Sequence, residues 1–125
     1  MFATTLAKTA YANPGQPVRT ARGTEFELFA RITRRLKQAS DAGKAQFPAL
    51  AAAVYDNRKL WTVLASDVAD PGNRLPSDLR ARLFYLNEFT QVHSRKVLTG
   101  DASVDVLIDI NTAIMRGLRQ EGGAA

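Results

Sequence analysis

The chain has 125 residues, a formal net charge of +5, no cysteine and one histidine. That length holds one self-sufficient core, while the residue counts exclude a disulfide framework, a thiolate nucleophile and a Cys-ligated zinc site and make a His-based metal site improbable. No window approaches the roughly 18 consecutive apolar residues of a membrane span, and the first dozen residues lack the apolar run of a secretory signal, so the cytoplasm is the expected compartment.

Residues 1–22 have few large apolar groups apart from Phe2, Leu6, Tyr11 and Val18, and they contain the breaker cluster Asn13-Pro14-Gly15-Gln16-Pro17. This composition predicts a loosely held N-terminal arm, with one short extra helix over Phe2 to Tyr11 as the most it supports. The helical domain is expected over residues 23–121, with 122–125 as a disordered tail.

The first main helix is expected to start at Thr24, where Thr24 and Glu27 fit a capping box. Phe26, Phe29, Ile32, Thr33 and Leu36 then recur on one side at helical spacing, with Arg31, Arg34 and Arg35 on the other. Gly43 marks its end. A second helix opens at Phe47 with Pro48 in its first turn, where the missing N–H costs nothing. Its inward positions, Phe47, Leu50, Val54, Asn57, Trp61, Leu64 and Val68, form a heptad seam with one polar interruption. Asp70-Pro71-Gly72-Asn73 is a turn signal.

Pro76 restarts the pattern for a third helix with Leu79, Leu83, Leu86, Thr90, His93 and Val97 as the inner stripe, widened by Phe84, Tyr85, Phe89 and Val92. Gly100 is the expected stop. The fourth helix, capped by Asp101 or Ser103, buries Val104, Leu107, Ile108, Asn111, Ile114, Met115 and Leu118 and frays at Glu121-Gly122-Gly123. No hairpin signal or sustained period-two alternation predicts a strand. The expected fold is all-α: an antiparallel bundle of four main helices joined by short loops. The alternative is that the first and fourth helices cross the central pair.

Several strings resemble one family. They are Thr20-Ala21-Arg22-Gly23-Thr24-Glu25, then Asp56-Asn57-Arg58-Lys59-Leu60-Trp61, then Asn73-Arg74-Leu75-Pro76 with Leu79-Arg80-Ala81, and above all the run from Asp105 through Leu118 containing Ile108-Asp109-Ile110-Asn111-Thr112. In this order they are similar to the FlaF family of flagellar biosynthesis regulators across nearly the whole chain. The resemblance implies a cytosolic, non-enzymatic protein that binds flagellin as a chaperone-like factor and promotes its synthesis and export. It also implies action alongside a second regulator, FlbT, that controls flagellin messenger RNA. The family supplies no catalytic residue, and no cofactor is implied.

Each conspicuous residue has a plain reading beside a functional one. Asn57 and Asn111 interrupt apolar stripes, either as a register-setting polar contact, between these two or with His93 and Thr90 in the same layer, or as groove residues that hydrogen-bond a bound segment. Leu60, Trp61, Phe84, Tyr85 and Met115 exceed what a strict seam requires. They thicken the core, or they form a groove for an amphipathic helix of flagellin. From Arg19 to Lys44 seven cations stand against Glu25, Glu27 and Asp41. Arg31, Arg34 and Arg35 are there either a solvated outer face or a grip on phosphates, and the latter gives the competing expectation of an RNA-binding regulator of flagellin messenger RNA. His93 has the chemistry of a general base but no nucleophile or carboxylate placed by motif beside it, so a hydrogen-bonded structural role is expected.

Overall fold

The computed structural model describes the backbone of residues 18–124 and the side chains of residues 25–117. Four helices account for nearly all of it: α1 (Val18–Ala42), α2 (Phe47–Ala69), α3 (Ser77–Leu98) and α4 (Asp105–Ala124), with a single 3-10 turn, Lys44–Gln46, between the first two. No strand occurs among the described residues. The fold is the expected all-α bundle, and successive helices run antiparallel. The short helix over Phe2 to Tyr11 and most of the arm lie outside the described residues.

Local chemistry sets most of the boundaries. Pro48 occupies the first turn of α2. The turn after it is held by Asp70, whose Oδ1 accepts from the Gly72 amide at 2.8 Å while its carbonyl accepts from the Asn73 amide at 2.9 Å. Asn73 in turn accepts from the Leu75 amide at 3.0 Å, so a four-residue reversal satisfies its own backbone. At the end of α3, Gly100 has φ +83°. There the Asp101 amide donates to the Lys96 carbonyl and the Gly100 amide to the Val97 carbonyl, which is a Schellman closure. Of the two caps proposed for α4, Ser103 serves: its Oγ accepts from the Asp105 amide at 3.0 Å, whereas Asp101 Oδ2 accepts from the Thr99 hydroxyl instead.

Two boundaries depart from expectation. α1 begins at Val18, so Thr24 lies in its interior and is not its cap. A local capping signal loses when the preceding residues can propagate the helix, because each residue added to an existing helix gains a backbone hydrogen bond at no new nucleation cost. The interior Gly23 costs only about 1 kcal/mol against this. At the other end, the backbone stays helical through Gly122 and Gly123 to Ala124, where fraying was expected.

α1 packs against α2 and α4, α2 packs against α1 and α3, and α3 meets α4 far more sparingly. The core therefore sits around α2, and α3 is an edge helix with one main neighbour. Phe29, Ile32 and Leu36 of α1 join Val54, Trp61, Leu64 and Val68 of α2, Leu83 and Val97 of α3, and Val104 and Leu107 before and within α4. Phe29 meets Trp61 edge to face, with ring centroids 5.8 Å apart. Phe47, the first residue of the α2 seam, is 46 % exposed at the helix terminus.

Candidate functional site

Of the seven residues expected to meet a partner, four are interior. Asn57, Trp61 and Asn111 are 0 % exposed and Leu60 is 3 % exposed. They present no surface in this conformation, Leu60 for one reason and the other three for another. Leu60 lies one turn from Asp56, whose carboxylate accepts from Arg35 of α1 at 2.6 Å. Leu60 is therefore on the flank of α2 that α1 covers. A helix with neighbours on two flanks buries a wider arc than one seam.

Asn57, Trp61 and Asn111 form one buried network across three helices. The indole Nε1–H of Trp61 donates to Asn111 Oδ1 at 2.9 Å. Because an indole can only donate, this contact fixes which way the Asn111 amide faces. Its Nδ2 then donates to Asn57 Oδ1 at 2.7 Å and to Thr33 Oγ1 at 3.1 Å. The polar interruptions in the α2 and α4 stripes are thus one layer that pins the register of α1, α2 and α4. The Asn57–Asn111 contact is as anticipated, but the layer's other members are Trp61 and Thr33.

His93 stands apart from that layer. Half-buried, its Nε2 donates to the Ser103 carbonyl at 2.8 Å, and its ring stacks on Phe89 with centroids 5.4 Å apart. It fastens α3 to the loop that leads into α4. No group of three or more metal-ligating side chains occurs among the described residues.

Met115 is half-buried against the core. Phe84 and Tyr85 are exposed, and Phe89 and Val92, expected to widen the inner stripe of α3, are exposed with them. The inner stripe itself holds: Leu83, Thr90 and Val97 are buried together with Ser94, and Leu79 and Leu86 pack against the core. α3 therefore has two apolar stripes, and its one main neighbour covers only the first. Tyr85 is 65 % exposed, Val92 49 %, Phe84 43 % and Phe89 38 %. Four large apolar side chains on one solvated helix face are more than scattered surface hydrophobics supply. The signal was present in the sequence: Tyr85, Phe89 and Val92 are spaced four and three apart, a stripe of their own beside the one that runs from Leu79 to Val97.

This face adjoins α2 through Gln91. Gln91 Nε2 donates to the Arg58 carbonyl at 3.0 Å, and Arg58 Nε donates to Gln91 Oε1 at 2.9 Å. Beyond that tie an open cleft of about 410 Å³ is lined by Tyr55, Arg58, Lys59, Thr62, Val63 and Gln91. Lys59 Nζ lies 5.6 Å from the centroid of the exposed Tyr55 ring.

The three arginines expected to share a basic face divide. Arg31 and Arg34 are exposed, while Arg35 leans to α2 and pairs with Asp56. Among the described residues the exposed aromatic side chains are on α2 and α3.

Among the described residues no helix is long and apolar enough to cross a membrane. The family described as flagellar protein FlaF matches residues 7–118 of the chain. Neither a curated protein nor a solved structure matches it.

Proposed function

The chain belongs to the FlaF family of flagellar proteins, and on that premise we propose that it binds flagellin in the cytoplasm as a chaperone-like factor and promotes flagellin synthesis and export. The observation that carries this reading is the solvated stripe of Phe84, Tyr85, Phe89 and Val92, which the bundle itself leaves uncovered. The physical logic is that of a cover. Amphipathic segments of an unassembled subunit expose apolar stripes that aggregate, and a partner that buries such a stripe keeps the subunit soluble. Affinity comes from apolar burial, and the net positive charge speeds encounter.

The proposal is of a binding protein and not an enzyme. Its only histidine is occupied in holding a loop, and a partner of FlbT type would act on the flagellin transcript in its place. The RNA-binding alternative has less support, because Arg35 is engaged by Asp56 and the aromatic side chains that would stack on bases are not interleaved with Arg31 and Arg34.

Co-expression with flagellin followed by size-exclusion chromatography tests the reading. The two proteins are expected to co-elute at about 200 mM salt, a concentration at which phosphate-driven binding has weakened by orders of magnitude. Separate elution, together with salt-sensitive retention of flagellin transcript, would replace flagellin binding with RNA binding.

A further inference from the structure

We infer that the outer face of α3 and the adjoining rim of α2 receive an amphipathic helix whose apolar stripe is flanked by carboxylates. This rests on the reading of the chain as a flagellin-binding protein and adds where, and by what chemistry, the bound segment is held.

The apolar part is set by spacing. Tyr85, Phe89 and Val92 repeat at four and three residues, the interval at which a second helix places its own apolar side chains, and Phe84 widens the strip. The charged part lies along its α2 edge and at its two ends. On the side toward α2 are Arg58, Lys59 and Arg95, the last one turn beyond Gln91. Arg82 and Lys96 continue the line of Tyr85, Phe89 and Val92 at its two ends, three residues before Tyr85 and four after Val92. All but the half-buried Arg58 are exposed, and their carbon stems extend the apolar strip while the charged heads stay in water.

Against these five cations the face of α3 offers the carboxylates of Asp78 and Glu88. Among the described residues none of the five is held in an ion pair. Arg58 donates to the neutral Gln91 amide, and Lys59 sits over the Tyr55 ring. Their charge is therefore free to select a partner. A segment with lysines beside its stripe is repelled, and one with glutamates or aspartates is drawn in and fixed in register.

A second copy of the chain fits this face poorly. Two such faces pressed together bring cations against cations. A slender acidic helix avoids the repulsion and reaches past α3 to Tyr55.

The test uses the full chain and two fluorescein-labelled designed amphipathic peptides with the same leucine stripe, one flanked by glutamate and one by lysine, read by fluorescence anisotropy. The glutamate peptide is expected to bind, and the lysine peptide to bind about tenfold more weakly or worse. Phe89→Asp abolishes binding. Lys59→Glu combined with Lys96→Glu reverses the preference between the peptides. All these side chains are at the surface, and circular dichroism confirms that the variants remain folded.

Equal binding of the two peptides, or a preference untouched by the charge swap, overturns the inference. So does a concentration-dependent dimer, lost in Phe89→Asp, that excludes both peptides. Flagellin pull-down separates the two layers of argument. If wild type and both variants retain flagellin equally, the docking face is wrong and flagellin binding stands. If the glutamate peptide binds as expected but flagellin does not, the face stands and its natural partner is another acidic amphipathic helix.

Discussion

Replacing Asn111 with alanine removes the one side chain that ties three helices at a single point. It accepts from Trp61 Nε1 and donates to Asn57 Oδ1 and Thr33 Oγ1, and every member of the set is at most 4 % exposed. A buried donor or acceptor left without a partner costs about 1–3 kcal/mol. The Thr33 hydroxyl can turn toward its own helix backbone, so the loss falls on the indole N–H and on Asn57, whose Nδ2 is already unpaired. Two orphaned groups plus a small cavity give an expected cost of about 3–6 kcal/mol. That is a large share of the roughly 5–15 kcal/mol that holds a domain of this size together. Asn57→Leu should cost less, about 1–2 kcal/mol, because it deletes the unpaired donor along with the single bond lost. Urea unfolding followed by tryptophan fluorescence reads both, since Trp61 is the only tryptophan and is fully buried. The reasoning is refuted if Asn111→Ala lies within about 1 kcal/mol of wild type at an unchanged slope in denaturant, or if the two substitutions cost the same.

Three further outcomes follow from particular contacts. Gly100→Ala forces a Cβ into a φ of +83° and should lower stability by about 1 kcal/mol or more in the same titration, although nothing lies within 4 Å of the added methyl. Arg35→Ala removes the 2.6 Å contact with Asp56, but both side chains are more than a third exposed. Its cost should therefore stay below about 1 kcal/mol and shrink further at about 1 M salt. Gln91→Ala cuts the tie between α3 and the Arg58 carbonyl and should cost about 1 kcal/mol. Native-state hydrogen exchange would show it as faster exchange along α3 with little change in α1.

What the sequence determined by itself is most of what depends on neighbours along the chain. Pro48, the Asp70–Asn73 reversal and Gly100 punctuate the helices through the φ angles and local hydrogen bonds their side chains allow. The period of Phe29, Ile32 and Leu36, or of Val54, Trp61 and Leu64, gives the inward direction of each helix about its own axis. The similarity to the FlaF strings was likewise legible in the order of residues. The tertiary structure decided how wide an arc each helix buries, because that depends on how many other helices touch it. α2 is covered on two flanks, so Leu60 joins the interior although it lies off the seam. α3 has one main neighbour, so Phe84, Tyr85, Phe89 and Val92 remain in water although their spacing is as regular as that of the buried stripe. The partners of Asn111 were decided the same way, since a side chain 78 residues away in sequence, Thr33, reaches it only once α1 and α4 lie side by side. Periodicity fixes a direction. Only packing fixes what stands there.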